Sequence, residues 1–111
     1  MKDIQPEEIA AFLLQKICER SHLDIRLLDA VILGQAKQSS DQPNIARLAA
    51  LMTKFPLEVQ AYTVHRQCGS GMQAVQNAAQ EIMCGYADFV LAGGVESMSN
   101  IEYYSTNMRW G

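Results

Sequence analysis

The sequence predicts an α/β fold in which helices pack on a mainly parallel sheet. Three observations carry that prediction. Short β-rich runs alternate with helical apolar periodicity in the order helix, strand, helix, strand, helix, strand, which right-handed crossovers fold into a parallel sheet. Glycine, proline or asparagine punctuates the ends of the segments,. Hydrophobic residues make up 49% of the chain and charged residues 19%, so there is enough apolar surface for a core and too little charge for a disordered chain. With 111 residues, that core belongs to one domain at most.

Pro6, Glu7 and Glu8 make a favourable first helical turn, the acids complementing the helix dipole. Ile9, Phe12, Leu13, Ile17 and Cys18 then recur at three- and four-residue spacing, predicting an amphipathic helix to about Arg20. Ala30 to Gly34 is a β-rich run ended by glycine and reads as a buried strand. Gln35 to Pro43 is a polar loop. Asn44 can cap a second helix, from Ile45 to about Lys54, which must stop near Phe55 because Pro56 follows. Val59 to Arg66, rich in Val, Tyr and Thr, predicts the second strand. After Cys68-Gly69-Ser70-Gly71, the apolar stripe Met72, Val75, Ala79, Ile82 and Met83 predicts a third helix. Ala74, Ala78 and Ala79 would let it pack closely, and Gly85 would stop it. Phe89 to Ala92 reads as a buried strand, with Gly93 and Gly94 leading out of it. From Ser97 the periodicity is lost.

The net charge of −3 and the lack of Lys/Arg clusters give no footprint for nucleic acid. Apolar runs such as Leu48 to Met52 fall far short of the roughly 20 residues of a membrane span. Asp3, Glu7 and Glu8 interrupt the start of the chain before any signal-like apolar stretch forms, so a cytoplasmic protein is expected. Cys18, Cys68 and Cys84 include no C-x-x-C pair, which argues against a metal site, and an odd count favours free thiols. Cys18 and Cys84 read as small core residues.

Cys68 stands apart, because it falls where a strand gives way to a helix. A thiol there faces unsatisfied backbone N–H groups and the positive end of the dipole, both of which favour the thiolate, the nucleophilic form. Chemistry in parallel sheets gathers beyond the carboxyl ends of the strands. Cys68 follows the second strand and Glu96 the third, so both should meet at that edge. Gly69-x-Gly71-x-x-Ala74 also fits a relaxed dinucleotide fingerprint. No acid suits the ribose, however: Asp88 begins the next strand, at the wrong edge, and Glu96 lies beyond the Gly93-Gly94 turn. A purely structural thiol at a tight turn is the remaining alternative on residues alone.

The stretch Val64-His65-Arg66-Gln67-Cys68-Gly69-Ser70-Gly71-Met72-Gln73-Ala74 resembles the N-terminal active-site signature of the thiolases. Ala87-Asp88 and Ala92-Gly93-Gly94-Val95-Glu96-Ser97-Met98-Ser99 resemble that family's next block at the right distance. Gly34, Asn44, Ala46, Arg47 and Ala49-Ala50-Leu51 extend the likeness upstream in the same register. The resemblance implies part of the N-terminal half of a thiolase-type fold, spanning residues 1–111. It implies fatty-acid metabolism by acyl transfer through Cys68, with coenzyme A thioesters as substrates, no resident cofactor and no metal. In degradation Cys68 would attack the 3-keto carbon of a 3-ketoacyl-CoA, release acetyl-CoA and pass its acyl group to a second coenzyme A. In synthesis an acetylated Cys68 would be attacked by the enolate of another acetyl-CoA. The Cys68 N–H would help to form an oxyanion hole, and a homo-oligomer is expected for an intact family member.

Two departures qualify this. Thiolases usually carry asparagine where this chain has His65; a structural role is expected for His65, and His22 is expected to be a solvated loop residue. The family's first strand, its CoA-binding loop domain and its C-terminal half have no counterpart in these residues. With that half go the Asn-Glu-Ala block, the Gly-His-Pro histidine and the second cysteine that moves the substrate proton. The 111 residues alone are therefore expected to be inactive. The alternatives are a non-catalytic remnant or dimerisation module built on Val59 to Arg66, and a condensing enzyme similar to the ketoacyl synthases.

Overall fold

The computed structural model describes residues 2–110. It contains helix α1 (Pro6–Ser21), strand β1 (Ala30–Gly34), helix α2 (Ile45–Leu51), strand β2 (Gln60–Val64), helix α3 (Ser70–Met83) and strand β3 (Val90–Gly94). Short 3-10 turns cover Ile25–Leu27 and Met98–Asn100. The strands form one parallel sheet in the order β2-β1-β3, as the alternation of elements predicts.

β1 is central, and all five of its residues are buried. Side chains alternate across a strand, so Val31 and Leu33 enter one core while Ile32 enters another. The first core joins Ala10, Ala11, Leu14 and Cys18 of α1 to Ile45, Ala46, Ala49 and Ala50 of α2. The second lies on the opposite face, where Ala74 and Ala78 of α3 meet Ile32. The molecule is thus layered as α1 and α2, sheet, α3. Asn44 caps α2 as expected, its Oδ1 accepting from the Arg47 N–H at 3.2 Å. Its amide also donates to the Ala61 carbonyl at 3.1 Å, and Arg47 donates to the Val59 carbonyl at 2.7 Å. Together these bonds fasten α2 along β2.

Several expectations need correction. The face of α1 that packs is Ala10, Ala11, Leu14 and Cys18, while Phe12, Leu13 and Ile17 are exposed. In α3 Ala74 and Ala78 are inside, whereas Met72, Val75, Ala79, Ile82 and Met83 are exposed, so of the three alanines expected to pack only two do. The cause in both helices is two apolar faces side by side, one of small residues. A helix that comes close to a sheet or a neighbouring helix buries the small face. β3 is an edge strand with half-buried and exposed residues, not a buried one, and Gly93 and Gly94 lie within it. β2 and α2 are each shorter at the ends than the composition suggests. Cys18 is buried as expected, and burial pushes its thiol up from the ordinary range. Cys84 is exposed, against expectation. Cys84 is the C-cap of α3, where the helix ends, and shares a surface concavity with Tyr62 and Glu81.

Candidate active site

The chain between β2 and α3 makes a tight turn. Gly69 N–H donates to the Arg66 carbonyl at 3.0 Å and Ser70 N–H to the Gln67 carbonyl at 3.1 Å; neither bond uses the Cys68 N–H. Gln67 is held at a φ of 49°, in the left-handed region that a residue with a Cβ seldom occupies. Directly after it stands Cys68, exposed, with Gly69 as N-cap and α3 starting at Ser70. The thiol therefore sits one residue before the N-cap of the helix, as its position after the second strand implies.

Two glycines let this turn settle onto the sheet. A Cβ on Gly34 would fall onto the backbone of Ser70 and Gly71, and one on Gly94 would come to 3.2 Å from the Gly34 carbonyl oxygen and 3.3 Å from Gly71 Cα. The start of α3 is thus seated on backbone at the ends of β1 and β3.

The loops after all three strands line an open cleft of about 480 Å³ at this edge. Gly34 ends β1, and Ala36 and Lys37 follow it; Gln67 and Cys68 follow β2; Glu96 and Met98 follow β3. Glu96 and Cys68 are thereby brought to one site, as their placement in the sequence predicts. The Glu96 carboxylate accepts from the Ala36 N–H, and from the Lys37 N–H at 3.3 Å. Farther along, Glu102 accepts from Ser40 N–H at 3.2 Å and from its hydroxyl at 3.1 Å. Two carboxylates thus clamp the loop after β1 onto the segment after β3.

Arg66 and His65 do not line this cleft. The Arg66 stem lies over Gly69 and its guanidinium donates to Gln73 Oε1, so its charge follows α3. His22 is exposed and takes a left-handed φ of 54° at the C-cap of α1, where its backbone N–H closes the last turn. A larger concavity of about 660 Å³ lies at the opposite edge, around Arg26, Asp29, Glu58 and Tyr86. It holds no cysteine, serine or histidine, so of these two the smaller cleft is the one with a candidate nucleophile.

The sequence reading missed Ser70. It is buried at 4% exposure, with Oγ accepting from the Arg66 N–H and donating to the Gln67 carbonyl, each at 2.7 Å. The one signal for it was a hydroxyl residue in the first turn of a helix directly after a candidate nucleophile.

An exposed cysteine between a parallel strand and a helix, at the carboxyl edge of the sheet, marks an α/β domain with a candidate nucleophile. Residues 1–111 match the family described as thiolase, N-terminal domain, and the chain belongs to the thiolase family. It is 40% identical over 110 residues to a probable acetyl-CoA acyltransferase of Staphylococcus epidermidis, covering 99% of this chain. It is 35% identical over 111 residues to an acetyl-CoA acetyltransferase of Syntrophomonas wolfei. The crystal structure of the Bacillus anthracis acetyl-CoA acetyltransferase superposes with a TM-score of 0.95 at 44% identity, covering 99% of this chain. The chain spans 28% of the length of each of these three proteins.

Proposed function

We propose that these residues carry the acyl-accepting half of a thiolase site, with Cys68 as nucleophile. The observation that carries this is the placement of Cys68. It is exposed, follows a left-handed residue, and opens onto a cleft built by the loops after all three parallel strands. In thiolysis its sulfur attacks the 3-keto carbon of a 3-ketoacyl-CoA. The bond between C2 and C3 breaks, and its electron pair leaves with C2, which is protonated to give acetyl-CoA. The acyl group stays on sulfur as a thioester until the thiolate of a second coenzyme A takes it, regenerating Cys68. Acyl transfer between thiols is nearly balanced energetically, so splitting the reaction lowers each barrier without an unfavourable intermediate. The Cys68 N–H is a candidate donor to the oxyanion formed at the attacked carbon; one such donor contributes about 3 kcal/mol.

The proton transfers belong to the histidine and second cysteine that the family carries outside the span matched here. Activity of the 111 residues is accordingly proposed to require those partners. Coenzyme A thioesters act as substrates, in fatty-acid metabolism and in the cytoplasm. Among the described residues, no helix is long and apolar enough to cross a membrane.

Within the described residues β2 pairs only with β1, so its outer edge presents backbone donors and acceptors to a further strand. That edge favours assembly with a second copy, and it is the feature that a dimerisation module would use.

Thiolysis of acetoacetyl-CoA by the natural polypeptide, with and without C68S, tests the reading. Turnover abolished by C68S supports it; turnover that survives C68S contradicts it.

A further inference from the structure

We propose that Ser70 is a positioning residue for the reacting centre, its buried hydroxyl fixing the peptide unit that carries the Cys68 N–H. The proposal rests on the reading of Cys68 as the nucleophile and adds to it the device that aims the backbone beside the sulfur.

A buried hydroxyl is normally hydrogen-bonded, and which partners it takes is informative. Here they are the Arg66 N–H and the Gln67 carbonyl, both at 2.7 Å. The Gln67 carbonyl belongs to the same planar peptide unit as the Cys68 N–H. In a trans peptide the C=O and N–H point in opposite directions. By drawing the Gln67 oxygen toward itself, together with the Ser70 N–H at 3.1 Å, Ser70 turns the Cys68 N–H away from itself. That leaves this N–H available to an oxygen bound beside Sγ. The Arg66 N–H, in the peptide unit before Arg66, donates to the same hydroxyl, so Gln67, at the disfavoured φ of 49°, lies between the two bonds. One hydroxyl therefore brackets the strained residue. Gly34 keeps Ser70 in place, because the backbone of Ser70 and Gly71 occupies the space a Cβ there would need.

Ser70 makes no bond to substrate in this account. Its effect passes through the aim of the Cys68 N–H, and misplacing a catalytic group by about 1 Å can cost about 10²-fold in rate.

The experiment is steady-state thiolysis of acetoacetyl-CoA by the natural polypeptide, its S70A and S70T variants, and C68S. S70A is expected to lower kcat by about 10²-fold while KM stays within about twofold, because a donor that acts only on the transition state has been misaimed. S70T, which keeps the hydroxyl, is expected to recover most of kcat. S70A with wild-type kcat, alongside an inactive C68S, overturns the Ser70 proposal and leaves the nucleophile standing. Turnover by C68S overturns both. Amide exchange of the wild type needs neither activity nor a variant that folds. The Arg66 amide lies beyond the end of β2 and donates to Ser70 Oγ at 2.7 Å, so protection is expected there, and exchange at the unprotected rate overturns the proposal.

Discussion

Gly34 at the end of β1 lies directly beneath Ser70 at the start of α3, backbone against backbone, with no room for a side chain between them. This contact sets the height of the Cys68 turn above the sheet. The obstruction is backbone and not the tip of a flexible side chain, so it cannot yield cheaply. G34A is expected to lower stability by about 3 kcal/mol, at the upper end for overpacking, and to slow Cys68 alkylation more than Cys84 alkylation. Denaturant unfolding and site-resolved labelling measure both.

Glu96 holds the loop after β1 through the amides of Ala36 and Lys37. Replacing it by alanine leaves those donors to water at an exposed site, with a cost of about 1 kcal/mol. E96A should speed amide exchange at 36 and 37 specifically while the Ala46 and Ala49 amides keep their protection. Uniform loss of protection would instead mean that Glu96 supports the whole fold.

Asp29 ties the start of β3 to that of β1. Its carboxylate accepts from the Asp88 N–H at 2.7 Å and the Phe89 N–H at 3.1 Å, and these bonds, Asp88 first, hold its carboxyl below the ordinary range. A depressed folded value means stability that is fully present above the unfolded value of about 3.9 and is lost as pH falls through the folded one. Stability should therefore decline on acidification below about pH 4, and D29N should flatten that decline. Glu19 and Asp24 are also lowered, by Lys16 and Arg26 respectively, so the flattening is partial. All three carboxylates are at the surface, and the effect should be small.

The outward apolar face of α3 includes Met72, Val75, Ile82 and Met83, and that of α1 includes Phe12, Leu13 and Ile17. Unpaired faces of this kind favour association. The 111-residue polypeptide should self-associate and bind a hydrophobic dye, and a V75K/M83K pair should reduce both without changing the far-UV spectrum. A sharply melting monomer that binds no dye would contradict this.

The order of elements and the position of Cys68 were legible because they depend on local punctuation: β-rich runs, glycines, and the cap at Asn44. Glu96 was legible because parallel strands send their carboxyl ends to one edge. The packed faces of α1 and α3 were not. Periodicity identifies an apolar face but cannot choose between two, and here the small side chains of Ala74 and Ala78 won over Met72 and Met83. Cys84 was misplaced because nothing local shows whether the end of a helix is covered. Ser70 was invisible because its partners, Arg66 and Gln67, come within reach only once the turn has closed. The Gly34 contact joins segments far apart in sequence, and a glycine at a strand end reads locally as a stop.

The central claim is that Cys68 accepts the acyl group. Its most direct test is to mix the natural polypeptide with acetyl-CoA, quench in acid and map the peptides by mass. Acetyl is predicted on the peptide carrying Cys68 and not on those carrying Cys18 or Cys84. An unmodified Cys68, or equal modification of Cys84, would contradict the claim.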